Sequence, residues 1–307
     1  MGKIAFVYPG QGAQKPGMGK DFAENGERAA AVYELAQSVL DFPLRELCFE
    51  ENEKLNETRY TQAALVATCL AMTEEITALG VTPDVTAGLS LGEYAALAAA
   101  RAMNVEDAVR AVRRRGILMS EAVPAGEGGM SAVLGLSGEQ TEEAIAGIDT
   151  VTVANYNCPG QVVVTGMLSG LAQAQERLLA AGAKRVLPLK VSGPFHSPYL
   201  QGAGEALRET LSGIGLMPLR CPYVSNVTAE YVTDSSETKE LLVRQVSSPV
   251  RWEQSMRNMI AHGVDTFVEI GPGRTIAGFM KKIAPELTVW NVGSWDEFLK
   301  LKENWGR

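Results

Sequence analysis

The chain offers very few groups suited to covalent chemistry. One is Ser90, in Gly88-Leu89-Ser90-Leu91-Gly92. Gly-x-Ser-x-Gly is the spacing of a nucleophile elbow: a strand ends, the backbone turns sharply on the serine, and a helix begins. The glycines sit where a crowded turn leaves little room for side chains. The N–H that follows, Leu91, is aimed at a developing oxyanion. A serine hydroxyl is a weak nucleophile until a base takes its proton, and the chain has only two histidines, His196 and His262. His196 lies in Ser192-Gly193-Pro194-Phe195-His196-Ser197-Pro198, a loop stiffened by two prolines, which suits a positioned base. His262 reads as the end residue of a helix, favoured there by the dipole. His196 is the better candidate. The rival is a serine hydrolase with the order Ser, acid, His, using Asp234 and His262.

Other polar groups are candidates for binding. Pro9-Gly10-Gln11-Gly12-Ala13-Gln14 follows an apolar strand, but no Gly-Lys-Ser/Thr follows, so a nucleotide P-loop is rejected. The stretch is a polar glycine turn that could present Gln11 at a strand end. Arg113, Arg114 and Arg115 are consecutive, and helical spacing cannot put all three on one solvated face. At least one points into the protein, where a buried arginine needs an anion.

These groups need elements to hold them. Val85 to Ala87 reads as a short strand and Glu93 to Ala100 as an alanine-rich helix, the two sides of the elbow. Lys3 to Tyr8 reads as a buried strand, Asp21 to Leu40 as one helix, and Thr61 to Leu79 as a strongly apolar helix stopped by Gly80. Asn104 can cap a helix from Val105 to Met119 that carries the arginines. The Val123 to Gly129 stretch breaks the composition. After it, strands at Met130 to Leu136, Val151 to Tyr156, Gln161 to Gly166 and Lys184 to Val191 alternate with two helices in a ferredoxin-like βαββαβ order. The remaining elements are helices at Tyr199 to Ser212, Ser236 to Val246, Val250 to His262 and Thr275 to Ile283, with strands at Cys221 to Ser225 and Phe267 to Ile270. Ser294 and Glu297 suggest a capping box for a last helix. The expected fold is α/β: an α/β-hydrolase-like large subdomain with a parallel sheet, residues 1–125 and 196–307, with a small ferredoxin-like subdomain, residues 126–195, inserted.

Composition narrows the function. The 307 residues are 46% hydrophobic and 21% charged, ordinary values for a globular enzyme. A net charge of −8 argues against a nucleic-acid partner. No apolar run has membrane-spanning length, and Ile4 to Tyr8 is too short for a targeting segment. Cys48, Cys69, Cys158 and Cys221 have no metal or redox spacing and read as reduced thiols of a cytoplasmic protein.

Taken together, Pro9 to Gln14, Gly88 to Tyr94, Arg115-Gly116, Asn155-Tyr156-Asn157-Cys158-Pro159-Gly160-Gln161, His196, Val243-Arg244-Gln245 and Glu269 to Gly273 carry a likeness that spans nearly the whole chain. The chain resembles the malonyl-CoA:acyl carrier protein transacylases of type II fatty acid synthesis and is similar to the acyltransferase domains of polyketide synthases. The resemblance implies transfer of malonyl from malonyl-CoA to acyl carrier protein by a ping-pong route, with no metal or cofactor and with a monomeric enzyme. It implies Ser90 as nucleophile, His196 as base, and the Gln245 backbone carbonyl as its orienting group. Gln11 and the Leu91 N–H would form the oxyanion hole, and Arg115 would hold the malonyl carboxylate. Leu89, Phe195 and Asn157 would line the substrate site. Leu89 stands where the family usually has histidine, Ser120 where many members have glutamine, and Phe195 resembles the bulky neighbour of malonyl-selective members. Both partners are anionic, so Lys184, Arg185, Lys190, Lys281 or Lys282 are expected to form a basic patch at the cleft mouth.

Overall fold

The computed structural model describes residues 2–305. Two sheets organise them. The first has six strands: β1 (Lys3–Tyr8), β2 (Val85–Gly88), β7 (Tyr223–Val224), β8 (Tyr231–Val232), β9 (Val264–Ile270) and β10 (Thr288–Val292), in the order β10-β9-β1-β2-β7-β8. All neighbours pair in parallel except β7 and β8, which form an antiparallel edge. The second sheet is antiparallel, with β3 (Gly128–Leu134), β4 (Val151–Cys158), β5 (Gln161–Met167) and β6 (Arg185–Pro188) in the order β4-β5-β3-β6. With helices Gly138–Ile145 and Leu168–Ala180 between strands, this is the ferredoxin-like arrangement.

The large sheet is buried on both faces, and β1 shows how. Its side chains alternate: Phe6 and Tyr8 join the core on one face, while Ala5 and Val7 join the core on the other. The first core is filled by the helix Thr58–Ala78, buried along almost its whole length. That helix packs against Val105–Glu121, the arginine helix, which Asn104 caps by accepting the Asp107 N–H at 2.7 Å. The small subdomain has its own core around Val133, Val153, Val164 and Leu178.

Several expectations are corrected. Residues 21–40 are not one helix: Gly26 is extended, dividing Lys20–Asn25 from Glu27–Gln37. The break lets the buried Glu75 carboxylate accept the Ala29 N–H at the start of the second helix, at 3.0 Å. The strand expected over 184–191 is assigned only over Arg185–Pro188, although Lys184 and Leu189 still donate to the Leu134 and Met130 carbonyls of β3 at its two ends. The strand at 221–225 shrinks to two residues. β10 was not anticipated; it is an edge strand, and its mixed Thr288 to Val292 pattern hides the pairing with β9. The last capping box is only half formed. Ser294 accepts the Glu297 N–H, but Glu297 reaches Gly293 and Arg274 instead of the Ser294 N–H.

Chemistry is placed by the parallel sheet. β1 runs on toward β2, while its other neighbour, β9, runs on to β10. The connections therefore part at the β1/β9 boundary, and a crevice opens at the carboxyl ends of the strands there.

Candidate active site

Ser90 occupies the turn between β2 and the helix Gly92–Ala99. Its φ is 52°, a left-handed conformation that costs a non-glycine residue strain. Close packing enforces the turn. A Cβ on Gly88 would lie 1.8 Å from the Gly92 carbonyl carbon, and one on Gly92 would lie 2.4 Å from the Tyr8 carbonyl oxygen. Asn226, on the loop after β7, clamps the turn from the side. Its Oδ1 accepts the Ser90 N–H at 2.6 Å and its Nδ2 donates to the Gly88 carbonyl at 2.7 Å.

His196 is the second strained residue, with φ 58°. Its Nε2 lies 2.7 Å from Ser90 Oγ. Its Nδ1 lies 2.9 Å from the Gln245 carbonyl and 3.1 Å from the Ser248 carbonyl. Carbonyls only accept, so Nδ1 carries the proton and Nε2 is the free acceptor of the neutral ring. Burial, reinforced by the positive Arg115, pushes the imidazole down to about 4. The ring is therefore neutral and ready to take the serine proton at ordinary pH. His262 lies elsewhere. It is exposed at the end of the helix Trp252–Ala261, its Nδ1 bonded to the Asn258 carbonyl, while Asp234 caps a short turn at Ser236. The hydrolase arrangement with Asp234 and His262 is not assembled.

Arg115 is 1% exposed. Its Nη1 donates to Gln62 Oε1 at 2.8 Å, and its Nη2 donates to Ser90 Oγ at 3.1 Å and to Gln245 Oε1 at 3.0 Å. Its guanidinium also stands over the Tyr94 ring. Every one of these partners is neutral, and Nε has no partner among the described residues. The anion expected for a buried arginine is thus not supplied directly by the chain. Arg113, by contrast, pairs with Asp41 at the surface.

The cavity in front of Ser90 has a volume of about 190 Å³. Gln11, Leu91, Leu89, Phe195 and Asn157 all line it, with Met119, Met130, Val163 and Phe279 supplying most of the remaining apolar wall. The Gln11 side chain donates to Thr58 Oγ1 at 2.9 Å. Asn157 Oδ1 is buried with no partner among the described residues. A larger hollow of about 740 Å³ lies near Phe42 and Tyr60, but its polar rim is mainly carboxylates and holds neither histidine. Lys184, Arg185, Lys190, Lys281 and Lys282 are all exposed. Leu189 and Val191 bring the segment of Lys190 to the cavity, and Thr275 and Phe279 bring the helix of Lys281 and Lys282 there.

Sequence reasoning missed four residues. Asn226 and Ser248 lie in loops whose approach to Ser90 and His196 no local pattern reveals. Gln62 looked like one polar residue in an apolar helix. Glu93 looked like a helix former, yet it is fully buried; its Oε2 accepts from Gln245 Nε2 at 2.5 Å and from the Asn226 N–H at 3.3 Å. The Glu269-Ile270-Gly271-Pro272-Gly273 stretch also gains a reason. Buried Glu269 accepts the Ile276 and Ala277 N–H groups, each at 2.9 Å, anchoring the helix Thr275–Ile283 that lines the cavity.

This arrangement has the parts for acyl transfer: a nucleophile, a neutral base, a backbone N–H after the nucleophile, and an unpaired cation beside it. Comparison with known proteins agrees. Residues 5–283 match the acyl transferase domain family. A malonyl CoA-acyl carrier protein transacylase of Bacillus subtilis is 45% identical over 92% of this chain and 91% of its own length. The crystal structure of a malonyl CoA-acyl carrier protein transacylase from Clostridium perfringens superposes with a TM-score of 0.94 at 42% identity, covering 98% of this chain and 96% of that one. A malonyl-transacylase in complex with its type II PKS acyl-carrier protein gives a TM-score of 0.95 at 36% identity, covering 98% and 99%.

Proposed function

This chain belongs to the acyl transferase family, and from that premise we propose that it moves malonyl from malonyl-CoA to the phosphopantetheine thiol of acyl carrier protein, for fatty acid synthesis. One observation carries the reading. Ser90 Oγ lies within hydrogen-bond reach of both a neutral histidine and a buried arginine that has no carboxylate bonded to it.

The chemistry follows from those groups. Ser90 Oγ attacks the thioester carbonyl as His196 Nε2 takes its proton. The Gln245 and Ser248 carbonyls stabilise the imidazolium; being neutral, they make His196 a milder base than a carboxylate would. The Leu91 N–H, with Gln11 from the loop after β1, receives the oxyanion. Collapse breaks the C–S bond. The coenzyme A thiolate leaves with the proton held by His196, and malonyl remains as an ester on Ser90. The carrier's thiol then gives its proton to His196 and attacks the ester; as the ester C–O bond breaks, His196 returns that proton to Ser90 Oγ. No electrons are exchanged with an outside acceptor, and no cofactor enters the steps.

Arg115 selects the acyl group. A malonyl carboxylate can take a charge-assisted pair with the guanidinium. Acetyl leaves that cation unpaired in a desolvated pocket. Leu89, Phe195 and Asn157 form the wall around the acyl chain and the thioester. We assign residues 1–125 and 196–307 to the catalytic subdomain and 126–195 to the small one, acting as a cytoplasmic monomer. The exposed lysines beside the cavity mouth are the proposed contact for the acidic carrier. No helix among the described residues is long and apolar enough to cross a membrane.

The test is intact mass after mixing with malonyl-CoA alone. Wild type should gain one malonyl group, and Ser90→Ala should gain none. Arg115→Ala should lose malonyl loading while keeping acetyl loading. Steady release of free malonate with no adduct would overturn the transfer reading in favour of hydrolysis.

A further inference from the structure

Glu93 is a buried ionisable group beside the site that the transfer steps do not use. It is wholly inaccessible, one amide away from Arg115. Arg115 Nη2 donates to Gln245 Oε1, and the same amide's Nε2 donates to Glu93 Oε2. Gln245 cannot turn its amide over without loss, because Nε2 also donates to the Ser90 carbonyl at 2.9 Å. The relay therefore has a fixed direction, from cation through amide to carboxyl. The other oxygen, Oε1, is buried with no partner among the described residues, so it is free to carry a proton.

We propose that Glu93 is a positioning residue that sets how strongly Arg115 attracts the malonyl carboxylate, acting through Gln245. Protonated, Glu93 leaves the arginine's charge uncompensated and available to substrate. Ionised, it supplies an internal counter-charge that competes with substrate. The competition is reciprocal: a malonyl carboxylate beside Arg115 makes Glu93 harder to ionise. This inference rests on the assignment of Arg115 as the malonyl-binding residue.

The surroundings favour a titration in an accessible range. Burial pushes the Glu93 carboxyl up to about 8, opposed by its bonds to Gln245 and Asn226 and by Arg115. The other ionisable groups around it are Arg115 from the arginine helix, Tyr94 from its own helix and Tyr223 from β7. Burial raises both phenols far above their ordinary range, so they stay neutral. Gln245 and Asn226 contribute only amides. Glu93 is then mainly protonated at pH 7 and ionises as pH rises through about 8. The sign is fixed: malonyl capture should weaken with rising pH, and capture of a neutral acyl group should not.

The experiment compares Ser90 acylation by malonyl-CoA and acetyl-CoA at subsaturating substrate between about pH 6.5 and pH 9.5, a range bracketing the Glu93 titration. In wild type the malonyl-to-acetyl ratio of kcat/KM should fall about fivefold or more across the range, within the span of ordinary coupling energies. In Glu93→Gln, which keeps an acceptor for Gln245 but cannot ionise, the ratio should stay flat. A flat ratio in wild type, or the same fall in Glu93→Gln, overturns the inference. If Glu93→Gln does not fold, proton release by wild type in weak buffer near pH 8 decides the matter. Loading malonyl should release fewer protons than loading acetyl, the coenzyme A thiol contributing equally to both; equal release overturns the inference. A wild type with no malonyl preference at any pH would instead defeat the Arg115 assignment, an outcome distinct from a preference that is present but independent of pH.

Discussion

The two sheets contribute to one cavity in different ways. The parallel sheet delivers reactive groups at strand ends: Gln11 after β1, Ser90 after β2, Asn226 after β7 and the Glu269 anchor in β9. The antiparallel sheet delivers wall: Met130 from β3, Asn155 and Asn157 from β4, and Val163 from β5. The difference is geometric. A parallel strand must end in a long crossover, and its carboxyl end meets the N-terminus of the next helix, where N–H groups are free and backbone turns are tight. The antiparallel sheet instead meets the cavity with side chains borne within its strands, not with turns beyond their ends. Two of the four non-glycine residues with positive φ among the described residues are Ser90 and His196, and both lie in loops that carry the reacting atoms.

That contrast can be broken by exchange of roles. The largest effect is expected at His196. His196→Ala should slow Ser90 acylation by roughly 10²–10⁴-fold, the contribution of a positioned general base; rapid-quench mass measurement reads it. A loss under about tenfold would mean another group takes the serine proton. The antiparallel side should respond differently. Asn157→Ala removes an unpartnered acceptor from the wall, so it should raise KM by roughly threefold to tenfold, the value of one hydrogen bond, and leave kcat nearly intact. A collapse of kcat in that variant would erase the distinction between the sheets.

The smallest effect is an absence of change with pH. His196 is held down to about 4. A base with a depressed pKa stays neutral, and so active, until pH falls through that value. Acylation by malonyl-CoA should therefore lose less than about twofold between pH 7 and pH 5.5, where an ordinary histidine would be mostly protonated. A midpoint near 6.5 would mean that the ring is open to water. The same shift lowers stability as pH falls from about 6.5 toward 4, because the unfolded chain binds a proton that the native site refuses.

Local rules made much of the chain legible. The elbow declared itself because its pattern is complete within five residues, and the need for Gly88 arises there, against Gly92. The helix Thr275–Ile283 and the Asn104 cap were equally local. β10 was not legible, since an edge strand with mixed exposure carries no strong period. The helix break at Gly26 was missed because the carboxylate packed against it, Glu75, is distant in the chain.

The sequence by itself determined that Ser90 sits on a strained turn, that few bases could serve it, and that one of three consecutive arginines must face inward. All three are consequences of backbone sterics and helical period. The family resemblance pointed to Arg115 and to the Gln245 carbonyl; tertiary structure alone decided that the arginine's partners are neutral and that the Gln245 side chain joins it to Glu93. Those contacts join residues up to 152 positions apart. Their energies arise from burial and from charges that meet only when the β2 turn, the arginine helix and the loop of His196 close on one another, and no local pattern encodes that meeting.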